Sequence, residues 1–301
     1  MTEQAASVSW IGIGKMGLPI AGRMVEMGVR VAGYDSDRGR MNLAASKGVQ
    51  IVDTPDAAIA GQRIVFTSLP HDGALRAVAL ADGGLLDKLA RGAILIETST
   101  VSAEVSAEVG TAAEARGILY LRAPVSGNAA IAHTGNLTCF VSGPRAAFDQ
   151  VQPVLASFTR AQTYLGQAEE ARFAKLAVNL MIAVSAGMMA ESLALARKGG
   201  ISWRDILKVL DDSAVASPMV KYKTPLLATR DFESTFSCRQ MTKDLDLILD
   251  AGHEVGVSLP LAAQVREIYG SLVAQGDGEA DFIATVRYTE RLSGLGEPEL
   301  G

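Results

Sequence analysis

A glycine-rich segment near the N-terminus, Gly12-Ile13-Gly14-Lys15-Met16-Gly17, constrains the fold of this chain more than any other feature. It follows an apolar run that predicts a strand, and it opens a segment of helical periodicity. The first glycine of this pattern permits a tight turn, the second lets the backbone approach a pyrophosphate, and the third allows helix and strand to pack closely. The new helix offers unpaired N–H groups to phosphates. The segment therefore predicts a dinucleotide site on a Rossmann-type fold.

Asp35 ends the second predicted strand, about 20 residues beyond the loop, where an acidic residue hydrogen-bonds the ribose hydroxyls of NAD. Its charge would repel the 2′-phosphate of NADP. Arg38 and Arg40 follow closely and offer charges that such a phosphate would attract. We interpret both arginines as solvated helix charges, and we predict NAD as the cofactor with NADP as the alternative.

The first half of the chain alternates short apolar runs with amphipathic segments. This pattern predicts a doubly wound, mostly parallel sheet with helices on both faces. Strands are predicted at residues 8–13, 29–34, 64–68, 93–97, 119–123 and 137–142. Helices are predicted at residues 18–26, 38–47, 73–80, 103–116 and 145–156.

Beyond residue 166 the periodicity is helical throughout, beginning with one long segment over residues 169–198. No strand pattern is found there, and the middle of the long segment is apolar on nearly all sides, which predicts a helix buried by its neighbours. We therefore predict two domains. Residues 1–166 form the dinucleotide-binding Rossmann domain, and residues 167–301 form an all-helical domain for substrate binding and oligomerisation.

Composition narrows the function classes. The chain has 301 residues and a formal charge of −5 with no dense basic run, which argues against nucleic acid as a partner. Its two cysteines and three histidines show no CxxC or HxxxH spacing, so we expect no metal site.

No signal-peptide pattern opens the chain, and the longest uncharged stretch, residues 176–190, is shorter than a membrane span. We expect a cytoplasmic protein without a membrane segment, assembled through its apolar helical half as a homodimer or homotetramer, with a monomer that has a closed core as the alternative.

The opening from Gly12 to Ala21 resembles the signature of the β-hydroxyacid dehydrogenases. This family includes 3-hydroxyisobutyrate dehydrogenase and tartronate semialdehyde reductase, and it is related to 6-phosphogluconate dehydrogenase. Three further segments resemble family motifs in the same order along the chain. The resemblance implies an oxidoreductase that transfers a hydride between a nicotinamide cofactor and a small β-hydroxyacid or its semialdehyde.

The second segment, Ala123-Pro124-Val125-Ser126-Gly127-Asn128, is similar to the family's substrate-binding D-A-P-V-S-G-G motif. The resemblance implies that Ser126, Gly127 and Asn128 bind the substrate carboxylate, a role suited to a hydroxyl and loop N–H groups. Two residues depart from the motif. Arg122 replaces the usual acidic residue, and Asn128 replaces the second glycine, where its side chain would alter which acids fit.

The third segment contains Gly166, Lys175 and Asn179 and resembles the family's G-x-G-x-x-x-K-x-x-x-N motif, with Ala168 at the second glycine. Lys175 and Asn179 are four residues apart and so share one helix face. The resemblance implies that Lys175 is the catalytic acid/base and that Asn179 positions the substrate. The apolar residues around Lys175 would tune its proton affinity by desolvation.

The fourth segment, Lys243-Asp244-Leu245, resembles the C-terminal K-D-L motif, whose lysine reaches the cofactor. Two shorter matches follow predicted strands. Leu69-Pro70 resembles the segment that borders the nicotinamide, and Ser99-Thr100 after Glu97 resembles a D-x-S-T turn that implies a substrate contact for Thr100. His71 lies beside the first of these, and we interpret it as a residue of the cleft edge without a catalytic role.

Two alternatives stay open at this point. An imine reductase shares the architecture, although such enzymes commonly replace the catalytic lysine, which is present here as Lys175. A non-catalytic dinucleotide-binding sensor would also keep the fold, because fold alone does not establish activity. The retention of both Lys175 and Asn179 favours the dehydrogenase.

Overall fold

The structure is a computed structural model that describes residues 6–300. The chain divides into two compact units, Met1–Lys175 and Leu176–Gly301. The first unit contains a nine-stranded sheet, formed by β1 (Ser7–Ile11), β2 (Arg30–Tyr34), β3 (Gln50–Ile51), β4 (Ile64–Thr67), β5 (Ile94–Glu97), β6 (Leu119–Arg122), β7 (Val125–Ser126), β8 (Leu137–Ser142) and β9 (Thr159–Gly166).

Helices flank the strands of the first unit, and the last of them continues into the second unit. They are α1 (Gly17–Glu26), α2 (Arg38–Ala45), α3 (Pro55–Ile59), α4 (Asp72–Ala79), α5 (Leu85–Lys88), α6 (Ala103–Ala115), α7 (Ala129–His133), α8 (Arg145–Leu155) and α9 (Glu170–Lys198).

The sheet is mostly parallel, in the order β3-β2-β1-β4-β5-β6-β8-β7, with β9 paired to β8. Strands β6 and β7 run antiparallel to β8, and the other pairs are parallel. Successive side chains of a strand face opposite sides, so the neighbours Trp10 and Ile11 enter different cores. One core packs against α1 and α8, and the other packs against α4 and α6. The doubly wound fold predicted from the alternation is confirmed.

Strand β9 was not predicted, and its burial explains why. It pairs with β8 alone, at an edge of the sheet. Arg160 and Ala161 are exposed, and most of the strand is not buried. An edge strand of this kind lacks the apolar run by which a buried strand is recognised.

The second unit is helical. Its helices are the later part of α9, then α10 (Trp203–Asp212), α11 (Pro218–Ala228), α12 (Cys238–Glu254), α13 (Pro260–Ala274) and α14 (Thr285–Leu292). Two 3-10 turns, Asp277–Glu279 and Phe282–Ala284, precede the last helix. Within residues 176–300 the only strand-like pairing is an isolated bridge between Ser237 and Asp281.

Helix α9 is buried along one side only, which corrects the expectation of burial on nearly all sides. Its buried members in the second unit are Leu176, Asn179, Ala183, Ala186, Gly187, Met189, Ala190, Leu193 and Ala194. Met181, Met188 and Leu195 are exposed.

By length and composition alone α9 could cross a membrane, with a mean hydropathy of 1.6 over its most apolar window. The core helix of a soluble protein passes the same test, so this is weak support for a membrane span.

The two units meet in sequence within α9. The predicted boundary lies between residues 166 and 167, at the end of β9. By packing, the first unit extends to Lys175. Arg172 explains the difference, because its side chain is hydrogen-bonded to β5 and to the loop that follows it.

Both cysteines are buried, and burial raises the pKa of Cys139 and of Cys238 to about 12. Since the thiolate is the reactive species, we expect neither thiol of the folded protein to react with a disulfide reagent at pH 8. Both thiols should react once the chain is unfolded in guanidinium chloride. Prompt labelling of either thiol in the native protein would contradict the buried placement.

Candidate active site

The glycine loop connects β1 to α1 and is pressed against the end of β4. Gly12 has φ +93°, and a Cβ there would overlap the carbonyl oxygen of Ser68. Gly17 is equally crowded, since its Cβ would overlap the Gly12 carbonyl and lie 2.8 Å from the Trp10 indole nitrogen. That nitrogen donates a 3.0 Å hydrogen bond to the Gly12 carbonyl. The first and third glycines therefore serve the tight turn and the close packing that the motif predicts.

The middle glycine has a different environment. A Cβ at Gly14 would meet only one atom within 4 Å, the terminal guanidinium nitrogen of Arg40 at 3.4 Å. Helix α1 then begins at Gly17 without a side-chain cap and without an acidic residue in its first turn. An open backbone leading to an uncapped helix N-terminus fits the pyrophosphate of a dinucleotide.

Asp35 is buried at the carboxyl end of β2 and organises the loop. Its Oδ2 accepts a 2.6 Å hydrogen bond from the backbone N–H of Ile13, and its Oδ1 accepts one of 2.8 Å from that of Asp37. The carboxylate that is predicted to bind ribose therefore also fixes the glycine loop. Asp37 caps α2 by accepting hydrogen bonds from the N–H groups of Gly39 and Arg40.

Strands β4 and β5 end side by side, and hydrogen bonds join the loops that follow them. The Ser99 hydroxyl accepts a 2.6 Å hydrogen bond from the Leu69 N–H. The Thr98 hydroxyl donates to the Thr67 carbonyl at 2.8 Å, and the Ser99 N–H donates to the Glu97 carboxylate at 2.7 Å. Leu69-Pro70 and Ser99-Thr100 thus lie at one edge of the sheet, where ligands of such folds bind.

His71 and Asn128 both cap helices. The His71 Nδ1 accepts a hydrogen bond from the third residue of α4. The Asn128 Oδ1 accepts a 3.0 Å hydrogen bond from Ile131 N–H at the start of α7. This bond gives Asn128 a structural use at the position where the family motif has glycine, beside any contact with substrate.

The segment of Ser126 and Gly127 continues the line of β6. Strand β7 pairs with the same antiparallel neighbour as β6, with Ser126 opposite Thr138. Ser126 therefore lies beyond the carboxyl end of β6, and Gly127 follows with φ +131°. This φ strains any other residue, and a Cβ would also collide with Leu137.

The first turn of α9 is held by buried charges. The Arg172 guanidinium forms an ion pair with Glu97 and donates to the Ser99 carbonyl at 2.8 Å, to the Ser106 hydroxyl at 3.0 Å and to the Tyr120 hydroxyl at 3.1 Å. Burial, the largest single effect, lowers the pKa of Arg172, but the carboxylates of Glu97 and Glu169 and the Tyr120 hydroxyl together raise this pKa above its usual value. Lys175, half-buried, lies one turn further along the helix.

Arg122, the first departure from the family's substrate motif, has an ion-pair partner just before the first residue of α9. Its guanidinium forms an ion pair with Glu169 and lies 4.6 Å from the centre of the Tyr120 ring. Gly110 of α6 makes room for it, since a Cβ there would lie 2.5 Å from an Arg122 nitrogen. None of these contacts involves residues 126–128, so Arg122 supports the helix start.

The glycine alignment of the third motif needs a correction. Counted by the spacing of G-x-G-x-x-x-K, six residues before Lys175 is Glu169 and four before is Ala171. These positions, and not Gly166 and Ala168, stand where the motif has glycines. Two departures from the family motifs are therefore linked. Arg122 stands where the second motif has an acidic residue, Glu169 stands where the third motif has a glycine, and the two side chains form an ion pair.

In the second unit, the third and fourth motifs meet. The Asn179 amide donates a 2.6 Å hydrogen bond to the Asp244 carboxylate, and both residues are buried. The other oxygen of Asp244 lies 2.8 Å from the Lys243 ammonium, which is one-third exposed. Asp244 thus connects two residues predicted as functional.

Sequence reasoning singled out Asp244 only as a member of a motif and missed the roles of Arg172 and Glu97 altogether. The four-residue spacing of Lys175 and Asn179 gave no hint of Arg172, although Arg172 stands three residues before Lys175 and so shares the same helix face.

In the described residues no group of three or more His, Cys, Asp or Glu side chains could hold a metal ion.

Two family models match this chain, one in each half. Residues 7–166 match the family described as the NAD-binding domain of 6-phosphogluconate dehydrogenase. Residues 170–289 match the family described as NAD-binding of NADP-dependent 3-hydroxyisobutyrate dehydrogenase. Together the two matched ranges include the glycine loop, Ser126 and Gly127, Lys175 and Asn179, and Lys243.

Individual relatives are similar over nearly the whole chain. The 3-hydroxyisobutyrate dehydrogenase of Pseudomonas aeruginosa is 31% identical over 90% of this chain and 93% of its own. The 2-(hydroxymethyl)glutarate dehydrogenase of Eubacterium barkeri is 29% identical over 97% of this chain and 98% of its own. The solved 3-hydroxyisobutyrate dehydrogenase of Mycobacterium tuberculosis, with L-serine, superposes with a TM-score of 0.85 at 28% identity, over 94% of this chain and 99% of its own.

The fold and the cofactor site define an NAD(P)-dependent oxidoreductase with the architecture of soluble dehydrogenases. The chain belongs to the β-hydroxyacid dehydrogenase family. A solved imine reductase from Pseudomonas sp. has a TM-score of 0.60 at 18% identity over 95% of this chain and 99% of its own, a likeness in fold alone.

Proposed function

We propose that this protein catalyses the reversible oxidation of a 3-hydroxyisobutyrate-like β-hydroxyacid to its semialdehyde. The observation that carries this proposal is the placement of Lys175 and Asn179 on one face of α9, with the Asn179 amide oriented by the buried Asp244 carboxylate. A proton-transfer group beside an oriented amide suits a hydroxyl-bearing carbon.

Each residue of the proposed site has one task. Lys175 takes the hydroxyl proton during oxidation and returns it during reduction, while Asn179 holds the reacting oxygen near the ammonium. Ser126, Gly127 and Asn128 bind the substrate carboxylate, and Thr100 contacts the substrate. Gly12–Gly17, Asp35, Leu69-Pro70 and Lys243 bind the cofactor, whose nicotinamide supplies hydride acceptance and donation when bound.

The substrate class is supported by relatives that act on carboxylic acids. Their names include a 3-hydroxyisobutyrate dehydrogenase and a 2-(hydroxymethyl)glutarate dehydrogenase, and one solved relative was studied with L-serine, itself a β-hydroxyacid. We also propose a cytoplasmic location, in keeping with the soluble fold of these dehydrogenases and with two buried cysteines that form no disulfide.

Replacing Lys175 tests the mechanism. In an absorbance assay of hydroxyacids and semialdehydes with NAD(H) and NADP(H), we expect turnover of at least one substrate by the native protein. Lys175→Ala should lower kcat by a factor on the order of 100 or more, because a general acid/base is removed. Cofactor binding, measured by nucleotide fluorescence, should survive.

Lys208→Ala is the matched control, since Lys208 is exposed on α10 and lies outside the proposed site. Near-native turnover by Lys175→Ala would remove Lys175 from the mechanism. Tight cofactor binding without turnover of any acid would favour a dinucleotide sensor. Turnover of cyclic imines but of no hydroxyacid would favour an imine reductase.

We further propose that NAD is preferred over NADP, because Asp35 places a buried carboxylate at the ribose end of the glycine loop. Asp35→Ala should weaken NADH binding by about tenfold or more, the value of a hydrogen bond to a charged group. NADPH binding should weaken less, because repulsion of its 2′-phosphate is also removed.

The ratio of the two dissociation constants, measured by fluorescence titration, separates two effects of this substitution. Loss of the hydrogen bond to Ile13 would disturb the loop and weaken both cofactors equally. Asp56→Ala, which removes an exposed carboxylate of α3 that is paired with Lys88, should leave the ratio unchanged. An unchanged ratio in Asp35→Ala would exclude Asp35 as the selective residue.

We also propose a homodimer formed through the exposed side of α9. Met181, Met188 and Leu195 are 72%, 57% and 77% exposed and follow one another at intervals of seven residues. Such a stripe is self-complementary when two copies of the helix cross antiparallel about Met188, because Met181 then faces the partner's Leu195. The unpaired stripe is the kind of apolar surface that marks an interface.

Met188→Glu should break this dimer, because the two-fold axis would bring two like charges together. We expect sedimentation velocity to show a dimer for the native protein and a monomer for the variant. Leu43→Glu is the matched control, since Leu43 is also 57% exposed but lies on α2. A native protein that sediments as a monomer, or a variant that keeps the native mass, would refute the assignment.

A further inference from the structure

Three residues of α9 form one stripe that contains the proposed acid/base. Arg172, Lys175 and Asn179 follow at intervals of three and four residues, so they are neighbours on one helix face. Arg172 is bound to β5 and its loop, and Asn179 is bound to α12. Lys175 therefore lies on the helix between two side chains whose positions are fixed.

The Arg172 guanidinium is buried and hydrogen-bonded to several acceptors. Its side chain is 1% exposed and that of Glu97 is 0% exposed. Four acceptors share the guanidinium, namely the Glu97 carboxylate, the Ser99 carbonyl and the hydroxyls of Ser106 and Tyr120. A buried ion pair contributes little to stability compared with apolar packing. A network that is fully hydrogen-bonded does fix geometry.

The partners of Arg172 are also those that shape the edge of the sheet. Glu97 accepts from the Ser99 N–H, and the Ser99 hydroxyl accepts from the Leu69 N–H. The guanidinium therefore reaches Ser99 by two routes, directly through the Ser99 carbonyl and indirectly through Glu97, and Ser99 in turn binds Leu69. A shift of Arg172 would therefore disturb this edge of the sheet and, through one helical turn, Lys175.

We propose that Arg172, paired with Glu97, is a positioning residue that holds Lys175 in register with the Leu69 and Ser99 loops. This inference rests on the proposed role of Lys175. A helix turn released from this anchor should remain folded while Lys175 moves relative to the cofactor loops. Misplacement by about 1 Å lowers a rate by roughly 100-fold.

The double variant Glu97→Gln/Arg172→Met separates positioning from charge balance. Arg172→Met alone leaves Glu97 buried without its partner and should lower Tm by about 10 °C. The double variant removes both charges and should recover most of this loss. If Arg172 positions Lys175, kcat of the double variant stays about 100-fold low, whereas KM for the acid and Kd for NADH change little.

Recovery of both Tm and kcat in the double variant would overturn the proposal, because the pair would then serve charge balance only. Arg172→Lys covers the case in which the double variant fails to fold. It keeps the charge opposite Glu97 but cannot reach all four acceptors, so kcat should fall while Tm stays near native. Native kcat in Arg172→Lys would equally refute positioning. Arg76→Gln removes an exposed Arg–Glu pair of the same unit and should change nothing.

A readout without turnover keeps this test independent of the proposed function. After reductive ¹³C-methylation, the Lys175 resonance is assigned by its absence in Lys175→Arg, and its titration is followed by NMR. The double substitution leaves the net charge unchanged, so a displaced titration midpoint reports a change in the surroundings of Lys175. Native titration in both the double variant and Arg172→Lys would refute the proposal even if no substrate is found.

Discussion

The contact between Gly12 and the end of β4 is the constraint on which the rest of the cofactor edge depends. Because no side chain fits there, the loop backbone lies directly on Ser68. This closeness allows the Gly12 carbonyl to accept from Trp10 and leaves no space for a side chain at Gly17. Helix α1 then starts at a fixed point above the strands. A single steric restriction therefore sets the turn, the helix origin and the open approach at Gly14.

The sequence predicted the parts of this molecule that local pattern determines. The glycine loop, the alternating strands and helices and the face shared by Lys175 and Asn179 all follow from spacings of a few residues. Arg122 shows where such reasoning ends. In the sequence it is a departure from a substrate motif, and in the structure it is the partner of Glu169, 47 residues away. Pairings over such distances leave no periodic signal, and neither does a polar edge strand such as β9.

The Asp35 carboxylate holds the glycine loop and is also the proposed ribose ligand. One oxygen is bound to the Ile13 N–H and the other to the Asp37 N–H. Each carboxylate oxygen can accept more than one hydrogen bond, so ribose hydroxyls can be added without breaking either contact. The buried charge is thus stabilised by the loop before any cofactor arrives. In the proposed cofactor site, selectivity and loop geometry are consequently linked through a single residue.

In the proposed site, the buried Arg172–Glu97 ion pair provides directional bonds that apolar packing does not. Replacing an ion pair such as Arg172–Glu97 with apolar residues would often be neutral or stabilising. Apolar packing, however, is non-directional, whereas a guanidinium with four acceptors has one arrangement in which all are satisfied. Proton transfer at Lys175 requires a reacting oxygen within hydrogen-bond reach. In the proposed mechanism, directional bonds at Arg172 and Asn179 on one stripe of α9 therefore hold the single lysine between them in place.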